Sequence, residues 1–596
     1  MRQVVATAGH VDHGKSTLIR ALTGTDPDRL REEKQRGLTI ELGFAGMTLP
    51  SGTEVSFVDV PGHERFLGTM LAGLGPAPIV CFVIAADEGW SAQSGDHRDA
   101  LEALGIDQGL IVITRTDLAP DRVETALARS RAELAGTGLA DAPAVAVSSV
   151  TGDGLDQLRD RLDEVVRSAP APSATQRIRL WVDRSFPISG AGTVVTGTLP
   201  AGTLAQGDRL ELAGARRGGV LTVRGLQHLG GQTDRLVPVT RAAVNLRGVA
   251  AENIGRGDAL LTPGTWMHTA VLDVRRVSGD GFENSPAQLM VHLGTATVAA
   301  RLRPLGADHA RLTLDRPLPL TVGDRLVLRA TSSRAVRGGA VVLDLDPPHL
   351  DRRGEGRRRA RTLASMPAQG DAAAEVARRG AMREDTLVRA GIAVPEQLPD
   401  TLARHGRWLV DAPALQSWSV RLRELVAADR DADALSPGLP RKAAADALEL
   451  PDPDLLAPVL AAAGLHQVTG RIRATTDADS LGPAEPAVRR LEQRLGEHPF
   501  VAPEADELVV LGLGPRELAA AARLRRLLRL PGEVILLPTA PALAMRELAA
   551  LPQPFTTSQA RQALGTTRRI AVPLLEHLDA RGWTRRPDRG HREVVR

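Results

Sequence analysis

The chain has 596 residues, a formal charge of +3 and 43% hydrophobic residues, so it is too long for one apolar core and must fold as several domains. Cys81 is its single cysteine, which excludes an intrachain disulfide and a cysteine-based zinc site. Aromatic residues make up 2%, with no Tyr, so aliphatic side chains fill the cores and base stacking adds little to any nucleic-acid contact.

Lys15, Lys34 and Lys442 are the only lysines among 74 basic residues, a bias that fits a GC-rich genome. Lysine persists at position 15, where a phosphate loop requires it. Val4–Ala8 reads as a strand that starts with no apolar leader before it, and Ser16–Thr23 reads as a helix. Between them Gly9-His10-Val11-Asp12-His13-Gly14-Lys15-Ser16 fits G-x-x-x-x-G-K-[ST], whose backbone N–H groups cradle phosphate. Gly9 and Gly14 let the backbone turn inward, Lys15 neutralises phosphate charge, and Ser16 can ligate Mg²⁺. His10, Asp12 and His13 are too crowded in a tight loop to ligate zinc.

Thr39, in Arg36-Gly37-Leu38-Thr39-Ile40, is placed to reach Mg²⁺ and a γ-phosphate. A strand at Val55–Val60 then leads to Asp59-Val60-Pro61-Gly62-His63: a metal-side carboxylate, a glycine free to swing, and a histidine able to position water. Ile79–Ala85, Gly109–Thr114 and Ala144–Ser148 read as further buried strands, with Cys81 a buried strand residue. The alternation predicts a largely parallel α/β sheet over residues 1–172. Thr114-Arg115-Thr116-Asp117 stands where guanine is read. Asp117 can accept from the base N1–H and exocyclic amine, and Arg115 can lay its stem over the purine. Ser148-Ser149 fits a last guanine-contacting loop. Together these signatures predict a P-loop GTPase domain, closed by the stiff linker Ala169-Pro170-Ala171-Pro172-Ser173.

Residues 176–264 and 265–348 are rich in Val, Thr and Leu with regular Gly-Asp and Pro turns, which predicts two β-barrels. Gly190-Ala191-Gly192-Thr193-Val194-Val195-Thr196-Gly197 has the look of a dinucleotide fingerprint, but β-branched residues stand where a helix should begin. A barrel turn is expected. Arg352 to Arg361 reads as a basic, glycine-containing hinge, with RNA contact as the alternative. From Thr362 onward, helical segments each end in a short β-like pair, at Trp408–Val410, His466–Val468, Val534–Leu537 and Trp583–Arg585. Helices closed by a small hairpin predict four tandem winged helices, at 362–417, 418–480, 481–541 and 542–596. The first three read as spacers.

In the last, Thr567 to Ala580 reads as the third helix with Arg568 and Arg569 in its first turn, and Trp583 to Val594 as a wing carrying Arg585, Arg586 and Arg592. A guanidinium fork pairs a phosphate or stacks on an unpaired base, so Arg568, Arg569, Arg585 and Arg586 are candidate RNA contacts. A solvated basic face is the plain alternative.

Residues 9–16 and 59–63 resemble translational GTPases of the EF-Tu class, and Arg36 to Phe44, Arg-Gly-Leu-Thr-Ile-Glu-Leu-Gly-Phe, is similar to the selenocysteine-specific elongation factors (the SelB family). The resemblance implies GTP and Mg²⁺ as cofactors, with Asp12, His13, Gly14, Lys15, Ser16 and Thr17 around the phosphates. It implies that Thr39 and Ser16 bind the metal, Asp59 holds it through water, Gly62 senses the γ-phosphate and His63 orients the attacking water. Val11 and Leu38 match an apolar gate before that histidine, and no cis arginine finger is evident in the switch segments, with Arg36 the one candidate. Threonine opening the guanine motif fits the family; Arg115 departs from it.

Gly190 to Gly197 resembles the second domain of these factors, and Asp183-Arg184-Ser185-Phe186 with Arg241 resembles the SelB aminoacyl pocket. A selenol is far more acidic than a thiol, so an anionic side chain would favour Arg184 and Arg241, while neutral serine or cysteine would leave them poorly paired. Structural ion pairs with Asp183 are the plain alternative. The C-terminal modules resemble the extension that binds the mRNA hairpin (SECIS) after a recoded UGA. The resemblance thus implies a monomeric, cytoplasmic, ribosome-stimulated GTPase with selenocysteinyl-tRNA, the hairpin and the ribosome as partners, and no membrane. A general aminoacyl-tRNA carrier, which lacks such an arm, and a regulatory GTPase whose winged helices bind DNA stay open.

Overall fold

Ile79–Ala85 and Gly109–Thr114 are buried along their whole length, the pattern of strands covered on both faces. In the computed structural model they are adjacent interior strands of a six-stranded sheet. With Arg2–Ala8 as β1, Gly43–Thr48 as β2, Glu54–Asp59 as β3, Ile79–Ala85 as β4, Gly109–Thr114 as β5 and Ala144–Ala146 as β6, the order is β2-β3-β1-β4-β5-β6. All neighbours run parallel except β2 and β3. Helices on its two faces bury separate cores, one around Phe82 and Leu101, the other around Phe57, Leu18 and Leu162. Cys81 belongs to the second, and burial pushes its thiol up to about 12, which leaves it inert. The structure describes residues 1–28, 39–170, 172–190, 192–214, 218–331, 335–433, 435–474 and 481–595.

The texture change after the linker is a change to antiparallel sheet. Strands β7 (Arg179–Ile188), β8 (Gly192–Leu199), β9 (Arg209–Ala213), β10 (Gly219–His228), β11 (Thr240–Arg247) and β12 (Ala259–Leu261) form a sheet in the order β9-β12-β7-β8-β11-β10, and a β9–β10 pairing closes it on itself. Along β11 buried residues alternate with half-buried ones, the period of two that a barrel wall demands. The glycine-rich run from Gly190 enters β8, a barrel strand; Ala191 lies outside the described residues. A second closed barrel follows, built from six strands between Met267 and Asp344. The helix Ala92–Leu104 lies against it so closely that a Cβ on Gly339 would stand 2.6 Å from the Ala103 Cα.

Arg352 to Arg361 is not a hinge. A helix, Glu355–Ser365, runs through it and past Thr362, and it is seated on the second barrel. Arg359 donates to Asp273 at 2.7 Å and pairs with Asp344, while Arg311 holds the other side of Asp273. All four side chains are buried, and Leu363 packs with Val341 and Leu343. The run reads as a hinge in the sequence because its carboxylate partners lie 15 and 86 residues away.

Residues Met1–Glu375 with Arg383–Gln397 form one compact unit, and Val376–Met382 with Leu398–Arg596 another. Among the described residues of the second, hairpins stand at all four expected β-like pairs: Leu402–His405 with Trp408–Asp411, Leu465–Val468 with Arg471–Ala474, Leu528–Leu530 with Val534–Leu536, and Thr584–Arg585 with His591–Val594. The third hairpin is a shared wall. Val534 and Leu536 face a core with Leu574, Leu575 and Leu578, whereas Ile535 between them faces Leu491, Leu495 and Leu518, as strand alternation requires.

A cut at residue 542 therefore strips one wall from the last core. We expect a fragment of residues 481–596 to melt cooperatively and one of residues 542–596 to be several kcal/mol less stable, at about 1.5–3 kcal/mol per large apolar side chain uncovered. Circular-dichroism melts compare them; equal midpoints would contradict the shared core.

Candidate functional site

The phosphate loop is shaped by two glycines. A Cβ at Gly9 would stand 2.1 Å from the Val83 carbonyl oxygen, and Gly14, at φ 80°, caps the helix Lys15–Thr23. The first-turn N–H groups have no partner inside the helix, which makes its start an anion site. Lys15 is buried and donates to the carbonyls of Gly9 (3.0 Å) and His10 (2.7 Å). Burial pushes its pKa down to about 8, opposed chiefly by Asp59. Asp59 is buried too: burial raises its pKa, opposed by Lys15 and by bonds from Ser16 and Thr7.

Three residues far apart in sequence meet here. The Ser16 hydroxyl donates to Asp59 at 2.6 Å and lies 3.0 Å from the Thr39 hydroxyl, while Thr7 donates to the other Asp59 oxygen at 2.7 Å. Thr39 in turn donates to Asp28 at 2.9 Å, a residue that no motif singles out. This all-oxygen set suits Mg²⁺. Among the described residues no group of three or more His, Cys, Asp or Glu could hold a metal alone, so hydroxyls and phosphate oxygens would complete its shell.

The segment after Asp59 lies directly on the loop: a Cβ at Gly62 would stand 2.6 Å from both the Lys15 Nζ and the Val11 nitrogen. His63 follows, half-buried, and its Nδ1 accepts from the Arg65 N–H at 3.2 Å to start the turn Glu64–Phe66. That anchor fixes the ring and leaves Nε2 to act. Arg36, Gly37 and Leu38, the last one half of the expected apolar gate, lie outside the described residues.

A histidine missed in the sequence supports the loop from below. His97 is buried, its Nδ1 accepts the Gly9 N–H at 3.2 Å, and it bonds the Gly62 backbone. Burial and then Lys15 push its pKa down to about 3, so it is neutral. His13 is driven down to about 4, chiefly by burial, and its Nδ1 lies 3.1 Å from the Val83 carbonyl. The legible signal was spacing: Gln93, which bonds His10, and His97 are four apart on one helix face.

The guanine motif is tied to the same loop. Thr114 donates to the His13 carbonyl at 2.7 Å. Arg115 adopts φ 56° and its guanidinium bonds the Asp12 carbonyl, Asp87 (3.0 Å) and Glu88 (2.8 Å). Its stem therefore crosses from motif to loop. Asp117 is exposed and has no bond among the described residues, so its carboxylate is open to a base. Ser148 is buried and accepts from the N–H groups of Val150 and Thr151, which fixes the loop carrying Ser149.

The second cluster spans the sheet domain and the first barrel. Asp183 sits where the β7–β8 register slips, a bulge that re-aims a side chain. Its carboxylate grips Arg241 through both oxygens and accepts from Thr196 at 2.7 Å. The ion pair weighed in the sequence is therefore real for Arg241. Arg184 differs: it has no salt bridge among the described residues, donates to the Leu42 carbonyl, and burial lowers its pKa. The Phe44 ring lies 3.8 Å from the Arg241 guanidinium and 5.0 Å from that of Arg184. A cavity of about 440 Å³ opens beside Phe44, Arg184, Phe186, Thr196 and Arg241.

Three segments match known families: residues 2–168 an elongation factor Tu GTP binding domain, residues 284–349 a selenocysteine-specific elongation factor beta-barrel domain, and residues 546–592 an elongation factor SelB winged helix. The chain is 33% identical over 449 residues to the selenocysteine-specific elongation factor of Escherichia coli K12, across 73% of this chain and 71% of that protein. This chain belongs to the selenocysteine-specific elongation factors. It is 38% identical over 355 residues to the Desulfomicrobium baculatum factor, spanning 56% of that relative's length. A crystal structure of a bacterial selenocysteine-specific elongation factor, EF-Sec, matches over 100% of both chains with a TM-score of 0.75 and 26% identity. The family's build, a GTPase domain, barrel and winged helix, is the fold class expected from the sequence.

In the family's winged-helix segment the helix Arg568–Ala580 opens with Arg568 and Arg569, where the helix dipole disfavours cations. Arg568 has no ion pair among the described residues; Arg569 bonds Glu504 at 3.0 Å, Arg585 pairs with Glu593, and Arg586 with Asp579 at 2.9 Å. Arg592 is buried on Asp579 and Thr557, an internal strut rather than part of the basic face.

Proposed function

We propose that this chain delivers selenocysteinyl-tRNA to the ribosome at UGA codons in a GTP-dependent way, as a cytoplasmic monomer, while its C-terminal winged helices hold an mRNA hairpin. The phosphates of GTP lie in the loop Asp12 to Thr17, and Thr114, Arg115, Asp117, Ser148 and Ser149 read the guanine. Ser16, Thr39 and Asp59 hold Mg²⁺, which when bound neutralises charge on the β- and γ-phosphates. Gly62 senses the γ-phosphate from its seat on Lys15, and His63 orients water for attack. Arg568, Arg569, Arg585 and Arg586 face the hairpin. No helix of the described residues is long and apolar enough to cross a membrane.

One observation carries the reading: the segment that follows Thr39 and enters β2 supplies the Leu42 carbonyl and the Phe44 ring that frame Arg184 and Arg241. The phosphate-sensing segment and the cationic pocket thus share a wall. Arg241 is already paired with Asp183, so the charge open to cargo is that of Arg184, and a guanidinium without a salt-bridge partner in an aminoacyl site suits an anionic selenolate. The DNA-binding alternative is tested by competition at matched salt, because phosphate contacts make both affinities salt-dependent. The full chain is expected to prefer an RNA hairpin, taken from downstream of a selenocysteine UGA, over duplex DNA. A preference for the duplex would favour the regulatory GTPase.

A further inference from the structure

Arg256 touches three places that matter to the proposed delivery cycle, and no motif marks it. Its Nη2 donates to Glu41 at 2.5 Å, its Nη1 to the Thr69 hydroxyl at 3.1 Å, and its Nε to the Asp183 carbonyl at 3.3 Å. Glu41 lies two residues beyond Thr39, on the segment that carries Leu42 and Phe44. Thr69 lies in the helix Leu67–Leu74, which continues from Gly62 and His63. Asp183 is the carboxylate that holds Arg241.

The loop that presents Arg256 is itself hooked to the pocket strand. Gly257 donates to the Val182 carbonyl at 3.2 Å, Val182 donates to the Asp258 carbonyl at 2.8 Å, and the Asp258 side chain accepts from Gly255 at 2.9 Å. Asp183 is the extra residue of the bulge, so its carbonyl is left out of the regular ladder and is open to a side-chain donor. A planar fork with donors on several edges serves a carboxylate, a hydroxyl and a carbonyl at once in fixed directions.

An exposed ion pair by itself contributes little. A three-way fork is different in kind, because displacing either phosphate-sensing segment removes a bond from the group that braces Asp183. We propose that Arg256 is a positioning residue that couples both phosphate-sensing segments to the aminoacyl pocket. This rests on the delivery reading above. The guanidinium tightens Asp183, and through it Arg241, when the segments of Glu41 and Thr69 are both in place. It touches neither nucleotide nor cargo.

The test is the affinity of the full chain for selenocysteinyl-tRNA with a non-hydrolysable GTP analogue and with GDP, taken as a ratio. Arg256→Ala is expected to lower that ratio at least about fivefold, the low end of coupling between sites. Glu41→Gln, which leaves the fold less exposed to damage, is expected to lower it in the same direction by a smaller factor. Arg256→Lys, which keeps the charge and N–H donors without the fork, is expected to recover part of the loss, and the ratio between the two nucleotide states, unlike the affinity in either one, is not moved by a merely structural role. A ratio unchanged in both single variants overturns the coupling and leaves the delivery reading standing. A wild-type chain with no preference for the GTP state overturns the delivery reading itself, and is recognised before any variant is made.

Discussion

Replacing His63 by Ala is expected to leave GTP binding in place and to lower ribosome-stimulated hydrolysis by about 10²–10⁴-fold, the range for a positioned proton-handling group. The side chain lies outside the loop that cradles phosphate, so nucleotide affinity does not depend on it. Its Nδ1 is already committed to the Arg65 N–H, which holds the ring in one orientation and leaves a single nitrogen for water. Phosphoryl transfer is mostly positioning and charge neutralisation, and no fixed arginine finger stands among the described residues of the loop. Stimulated single-turnover rates measure the effect. A stimulated rate equal to wild type would make His63 a cap and nothing more.

The second large effect is on cargo choice. Arg184→Ala is expected to narrow the preference for selenocysteinyl- over seryl-tRNA by about ten- to a hundredfold, since a hydrogen bond to a charged group is worth about 1.5–3 kcal/mol. Arg184 is the cleaner probe of the two guanidiniums. Removing Arg241 would strand the Asp183 carboxylate, 4% exposed, without its cation, and breaking a buried pair costs about 3–5 kcal/mol in stability. The sign with pH follows from the cargo: the preference should fall as pH drops and the selenolate takes up a proton. Equilibrium binding of both tRNAs in the GTP state is the measurement, and a preference untouched by Arg184→Ala would refute the charge account.

Much of the site was legible because its parts are local. The run Gly9 to Ser16 and the strand before it dictate a loop geometry from their own residues, and the structure brings Ser16, Thr39 and Asp59 within a few ångströms. Continuous apolar runs made β4 and β5 readable, and the four hairpins stand where short β-like pairs were expected. What failed to show depends on contacts set only by packing. Arg359 reads as part of a basic hinge until the barrel brings Asp273 and Asp344 to it. Arg115 looks like a defect until Asp87 and Glu88 are seen to meet its extra donors. The shared third hairpin was hidden because Val534, Ile535 and Leu536 form one apolar run, and sequence alone does not say that its two faces serve different cores.

The central claim is that a bound γ-phosphate, felt at Thr39 and Gly62, sets the grip on cargo through the wall of Leu42 and Phe44. Its most direct test is the dissociation rate of selenocysteinyl-tRNA from the wild-type chain loaded with GTP analogue or with GDP. The account predicts slow release with the analogue and release faster by orders of magnitude with GDP. Identical rates in the two states would contradict it.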